Sequence, residues 1–127
     1  QQEINNVRLI NADVVPLLEN CIATASITGV LVWFPDPWPK KRHYKRRLIR
    51  PNFLDQVQRI LQPEGVLHLA SDWQPYVVDM QEQLAAYPEL KPFTSAPHPL
   101  AISRPDTRFQ QRGLRLGHEL SDLIYLC

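Results

Sequence analysis

Trp33-Phe34-Pro35-Asp36-Pro37-Trp38-Pro39-Lys40-Lys41-Arg42-His43-Tyr44-Lys45-Arg46-Arg47 is the stretch on which the reading of this chain turns. It grows out of the apolar run Val30-Leu31-Val32-Trp33-Phe34. The length of that run and its β-branched and aromatic side chains predict a buried strand. Three alternating prolines then end it, because proline cannot donate to a sheet ladder. Asp36 lies between two of them, on a backbone stiffened by its own position and by its neighbours. One carboxylate is thus held at the mouth of a strand, and Lys40, Lys41, Arg42, Lys45, Arg46, Arg47 and Arg50 follow at once.

This basicity is local. The whole chain of 127 residues carries 14 Lys and Arg against 13 Asp and Glu, a net charge of +1. A run of like charges is ordinarily a solvated face. Here it is joined to a rigid, aromatic-rich turn, and positive charge beside aromatic rings suits a polyanion with bases to stack, a nucleic acid. Length and a 44 % hydrophobic content fit one soluble globular domain, and no apolar run is long enough to span a bilayer. The N-terminus, Gln1-Gln2-Glu3-Ile4, lacks the pattern of a secretory signal. Cys21 and Cys127 lack ligand spacing, so no metal is expected, and a reduced, cytoplasmic setting fits them. Cys21 is expected to be a small buried apolar residue.

Outward from the opening stretch, strands alternate with helices. Val7 to Ile10 reads as a short strand ending at Asn11-Ala12-Asp13, and Val14 to Ile22 suits a short helix. Arg46 through Leu61 has near-helical apolar spacing, stopped by Pro63-Glu64-Gly65. Gly65 to Ala70 predicts a strand ending at Ser71-Asp72-Trp73, and Pro75 opens a helix running to about Tyr87. Pro88 to Pro105 is the longest stiff loop, and Leu120 to Leu126 reads as a final strand, with antiparallel pairing possible in the tail. The pattern is that of an α/β fold with parallel units, and Asp13, Asp36 and Asp72 each fall at the carboxyl end of a strand, where such sheets bind ligands.

Phe34-Pro35-Asp36-Pro37-Trp38, Lys40, Arg42-His43 and Lys45-Arg46-Arg47 together resemble the signature of the tRNA (guanine-N7-)-methyltransferase family. Asn11-Ala12-Asp13, Ala70-Ser71-Asp72-Trp73 and Ser103-Arg104-Pro105-x-Thr107-x-Phe109-x-x-Arg112-Gly113 match it in the same order. The resemblance covers nearly the whole chain and implies that residues 1–127 are the C-terminal portion of one class I methyltransferase domain, a partial Rossmann-like sheet with helices on both faces. It further implies S-adenosylmethionine as cofactor, tRNA as partner, and Asp36 as the active-site acid. Asp13 and Asp36 would contact the cofactor. Lys40, Asp72, Thr107, Arg108, Phe109 and Gln110 would bind substrate, and Arg42, His43, Tyr44, Lys45, Arg46 and Arg47 would contact RNA within a basic segment of about residues 40–50. Gln110 stands where many relatives carry Glu.

The glycine-rich turn of such a fold is missing: Gly29, Gly65, Gly113 and Gly117 contain no G-x-G pair. The chain is therefore expected to be part of a longer enzyme and inactive by itself. An exposed sheet edge would favour self-association, so a monomer or a homodimer is expected. Two other readings stay open: an RNA-binding module without catalysis, and an amino-directed nucleic-acid methyltransferase, whose Asp-Pro-Pro-aromatic turn Asp36-Pro37-Trp38 echoes. Residue by residue, an acid at a strand end is commonly a helix cap or turn former. Trp33, Trp38 and Trp73 read better as packing than as stacking platforms. His68 is expected to be buried and hydrogen-bonded, while His98 and His118 carry no inference.

Overall fold

A computed structural model of the chain describes residues 3–93 and 105–127. Four strands, β1 (Ile27–Trp33), β2 (Leu61–Ser71), β3 (Lys91–Pro92) and β4 (Ser121–Leu126), form one open sheet in the order β1-β2-β4-β3. β1 and β2 are parallel, whereas β4 runs antiparallel to both β2 and β3. The helices are α1 (Val14–Cys21), α2 (Pro51–Ile60), α3 (Gln74–Leu84) and α4 (Arg108–Arg115), with a 3-10 turn at Lys41–Arg46. The α/β character, the final strand and its antiparallel pairing are as the sequence predicts.

Alternation along the strands decides where the core lies. Register aligns Val30 with Leu67 and Tyr125, and Val32 with Leu69 and Leu123. All six side chains belong to one apolar cluster with Val14, Val15 and Leu18 of α1, Phe53, Leu54 and Val57 of α2, and Tyr76, Met80 and Leu84 of α3. Of the helical cover expected on both faces, the described residues show α1, α2 and α3 gathered on this one. On the opposite face His68 is buried as expected, its Nε2 2.8 Å from Asp122 Oδ1 and its ring edge-on to Trp33.

Three local expectations change. Val7 to Ile10 forms no strand and lies in the open, Leu9 being 95 % exposed. An extended segment needs a neighbour for its backbone groups, and here β1 pairs only with β2 among the described strands. Cys21 is exposed rather than buried, at the C-terminal end of α1. The helix predicted over 46–61 starts only at Pro51, after a 3-10 turn that ends at Arg46, since Pro51 has no N–H to continue a preceding turn and instead starts a new helix. β2 begins directly after α2, with an irregular stretch between Leu61 and Val66 and a left-handed Glu64 (φ 67°), before its regular pairing starts. Most of the Pro88–Pro105 loop lies outside the described residues.

α3 is anchored at its far end by Tyr87, whose hydroxyl is 2.6 Å from Asp55 Oδ1 and 3.1 Å from the Pro51 carbonyl. Burial first, and the Asp55 carboxylate second, push the Tyr87 phenol up to about 12. The folded state therefore holds the neutral phenol more tightly than the unfolded chain does. The associated stability is complete below pH 10 and is lost as pH rises through about 12. Tyr87→Phe is expected to cost about 1 kcal/mol at neutral pH, and to flatten the alkaline fall in denaturant midpoint above pH 10. An unchanged alkaline limb would show that this phenol carries none of it.

Candidate nucleotide-binding cleft

The parallel pairing of β1 and β2 brings their carboxyl ends to one edge of the sheet, and the antiparallel β4 starts there, Ser71 being paired with Ser121. The turn after β1, the turn after β2 and the segment leading into β4 therefore meet. Phe34 N–H donates to the Ala70 carbonyl at 2.7 Å, carrying the ladder one residue past β1. The backbone then turns left-handed at Phe34 (φ 56°) and again at Trp38 (φ 42°). Such φ values cost about 1–3 kcal/mol each in a non-glycine residue and persist only where the surroundings impose them. Between them Asp36 is exposed, and its Oδ1 accepts the Trp38 N–H at 3.1 Å. The turn former expected of an acid here and the presented carboxylate are one and the same group, since the second oxygen stays available.

Arg47 imposes the conformation. Its Nε donates to the Pro37 carbonyl at 2.8 Å and its Nη1 to Asp79 Oδ2 of α3 at 3.1 Å. Its guanidinium lies 3.9 Å from the Tyr44 ring centroid and 4.8 Å from that of Tyr76. Tyr76 in turn accepts the Ile49 N–H at 3.2 Å, and burial raises its phenol above the ordinary value despite that bond. Arg47, only 3 % exposed, is thus withdrawn from the RNA-facing set in which the sequence puts it. With Nε on a carbonyl, Nη1 on a carboxylate, its faces against two rings and Nη2 buried without a hydrogen-bond partner, this guanidinium is closed to a phosphate from solvent.

The rest of the basic segment does face solvent. Lys40, Lys41, Arg42, Lys45 and Arg46 are exposed, and His43 and Tyr44 are half-buried. Trp38 is gripped by the segment, with Arg46 5.1 Å from its centroid and His43 edge-on at 5.6 Å. The packing role expected for the tryptophans holds for this one.

Asp72, in the turn after β2, is the second carboxylate of the cleft. Its Oδ2 lies 2.9 Å from His118 Nδ1, and His118 meets Trp73 edge-on. A Cβ on Gly113 would stand 2.5 Å from the same oxygen, so only glycine lets α4 approach this carboxylate. Gln74 secures the segment leading into β4 through the Glu119 carbonyl (3.3 Å) and Ser121 Oγ (3.1 Å). The result is a cleft of about 470 Å³ lined by Phe34, Pro35, Asp36 and Pro37 on one side, by Arg112, Gly113 and Leu116 on the other, and by Asp72 and His118.

The other sequence-derived site residues fall elsewhere. Asp13 caps α1, Oδ1 accepting Val15 N–H at 3.2 Å, and lies in a separate depression with Glu19, Lys45, Arg46 and Asn52. Because residues 7–10 form no strand, Asp13 is not at a strand end. Thr107 caps α4 by accepting the Gln110 N–H at 3.0 Å, and Gln110 Nε2 bonds Asp106 at 2.8 Å. Neither these two nor Arg108 lines the cleft. The side chain of Phe109, and Ser103-Arg104 of the last motif, lie outside what the structure describes. His118 and Arg112 are the cleft residues that sequence reasoning gave no role.

A family model described as "Putative methyltransferase" matches residues 1–123. The chain belongs to this methyltransferase family. It is 45 % identical over 125 residues to a protein of Acidovorax sp. (strain JS42) named tRNA (guanine-N(7)-)-methyltransferase, covering 98 % of this chain and 50 % of that protein. Proteins of the same name from Paraburkholderia xenovorans (46 % identical; 98 % and 48 % covered) and Chromohalobacter salexigens (43 %; 96 % and 51 %) are similar to it as well. The chain spans about half the length of these curated relatives. Membership of a methyltransferase family implies a methyl donor. Among the described residues no helix is long and apolar enough to cross a membrane, and no group of side chains is arranged to hold a metal ion.

The division of labour between neighbouring arginines is directly measurable. Arg47→Ala leaves Asp79, whose side chain is 18 % exposed, without its nearest cation, and is expected to cost about 3 kcal/mol in denaturant unfolding. Arg46→Ala removes only an exposed contact with Trp38 and should cost less than about 1 kcal/mol. Equal, small losses for both would contradict the buried assignment of Arg47.

Proposed function

We propose that this chain is the base- and RNA-facing part of an S-adenosylmethionine-dependent tRNA (guanine-N7-)-methyltransferase. One observation carries the reading: two carboxylates, Asp36 and Asp72, line one cleft at the carboxyl ends of two parallel strands, beside a solvent-facing cationic segment. The names of the similar proteins and the sequence motif support it independently. Guanine offers adjacent N1–H and N2–H donors, and a carboxylate, which only accepts, can take both. Asp36 takes that role and Asp72 contributes a second acceptor, oriented by His118. Lys40, with Thr107, Arg108 and Gln110, contributes to the substrate surface from outside the cleft lining, and Phe109 is assigned to the same surface.

Guanine N7 carries its lone pair at neutral pH, so methylation asks for alignment and electrostatics rather than a strong base. The purine becomes cationic on methylation at N7, and two fixed carboxylates in the same cleft stabilise that charge. Among the described residues, none forms a glycine-rich cradle for the methionine end of S-adenosylmethionine. Gly29 lies within β1, Gly65 in the irregular start of β2, Gly113 against Asp72 and Gly117 beyond α4, so none follows a strand to open a helix. Asp13, in its depression beside Lys45 and Arg46, is the chain's candidate contact to the donor's adenosine. Exposed Lys41, Arg42, Lys45 and Arg46 contact tRNA phosphates, with His43 and Tyr44 supporting them. The setting is cytoplasmic, in keeping with free Cys21 and Cys127, and the working unit is a monomer or a homodimer.

In a full-length protein carrying this sequence, Asp36→Ala is expected to lower methyl transfer to tRNA by about 100-fold or more while tRNA affinity stays within about threefold. Methyl incorporation and filter binding read the two effects separately. Near-native turnover would remove Asp36 from the chemistry. Product analysis separates the readings of the basic segment: methyl on N7 makes the base labile to mild alkali, an exocyclic amine product does not, and binding without transfer leaves an RNA-binding module.

A further inference from the structure

α4 reads Arg108-Phe109-Gln110-Gln111-Arg112-Gly113-Leu114-Arg115, three arginines and no acid in eight residues of a chain whose net charge is +1. Their spacing of four and three puts all three on one face of the helix. Gly113, buried against Asp72, and half-buried Gln110 turn toward the body of the protein, and Arg108, Arg112 and Arg115 are all exposed. None of the three guanidinium groups has an ion-pair or hydrogen-bond partner among the described residues. Arg47, by contrast, spends its charge inside the fold. α4 also has a defined place: Arg112, Gly113 and Leu116 wall the cleft from one side, and the proline turn that leads into the basic segment walls it from another.

We propose that α4 is a second phosphate-contacting wall, with Arg112 and Arg115 extending the surface begun by Arg108, so that RNA crosses the cleft between two cationic ridges. The inference rests on the tRNA reading above and adds a surface which that reading does not need. A strand whose base enters the cleft has a phosphate on either side of that base. The Lys40–Arg46 segment serves one flank and α4 the other. Arginine suits the role because its planar fork can hold a phosphate in bidentate fashion. A competing role for Arg112 and Arg115, completing the negative end of their own helix dipole, needs no ligand.

Bulk tRNA binding at a series of salt concentrations tests this without requiring catalysis. Each lost phosphate contact removes about 0.7–0.9 from the log–log salt slope. Arg112→Glu/Arg115→Glu should therefore bind at least tenfold more weakly, with a slope shallower by about 1–2. Arg112→Lys/Arg115→Lys should keep most of the slope. Lys41→Glu/Arg42→Glu should lower it by a similar amount, and the two losses should add, because the walls are separate. A reversed variant with native slope, or a lysine pair as defective as the glutamate pair, would overturn the second wall while leaving the tRNA reading in place. A native chain that shows no salt-sensitive tRNA binding would overturn that reading itself.

Discussion

A single guanidinium, that of Arg47, connects the segments on which the cleft depends. It joins the Pro37 carbonyl of the proline turn to Asp79 of α3, with the rings of Tyr44 and Tyr76 on its faces. The proline turn by itself has a reason to relax, since Phe34 and Trp38 both hold left-handed φ values that a non-glycine residue adopts at a cost. A buried, multiply bonded cation is the counterweight. Its desolvation is offset by the Pro37 carbonyl, the Asp79 carboxylate and two ring faces, although Nη2 is buried without a hydrogen-bond partner. Losing Asp79 leaves the buried Arg47 without its carboxylate, whereas losing Arg47 leaves Asp79 with only the more distant Arg50 at 4.0 Å and Gln83 at 3.4 Å.

From that clamp the arrangement of charge follows. Asp36 is fixed at one lip of the cleft and Asp72, held by His118, at another, while Gly113 permits α4 to close against it. Positive charge is sorted by burial. The cation that builds the turn is inside, and those of residues 40–46 and of α4 are outside. A cleft that presents two carboxylates within a positive rim is the electrostatic form that the proposed function asks for. Sheet topology supplies the frame, because only the parallel β1–β2 pairing puts both acid-bearing turns at the same edge.

Much of this was legible in the sequence where local rules act alone. The strand before Phe34, the break at the prolines, the helix after Pro75 and the last strand all follow from apolar pattern and proline chemistry, as does the placing of Asp36 and Asp72 together. What was not legible depends on contacts distant in sequence. Arg47 looks like its neighbours Arg46 and Lys45, and what distinguishes it includes Asp79, thirty-two positions away, and the ring of Tyr76. His118 has no local signature of use, yet it reaches Asp72 forty-six positions back. Val7 to Ile10 has the composition of a strand, but a strand is a property of a pair, and the described sheet offers it none. Asp13 accordingly becomes a helix cap in a depression of its own.

The central claim, that the cleft between the proline turn and α4 holds guanine, is tested most directly by following backbone amide resonances while guanosine 5′-monophosphate is added, with adenosine 5′-monophosphate as control. The account predicts guanine-selective shifts at Asp36, Trp38, Asp72, Trp73, Gly113 and His118, the residues that line or shape the cleft. Equal responses to the two nucleotides, or shifts confined to residues 40–46 or to the depression around Asp13, would contradict it.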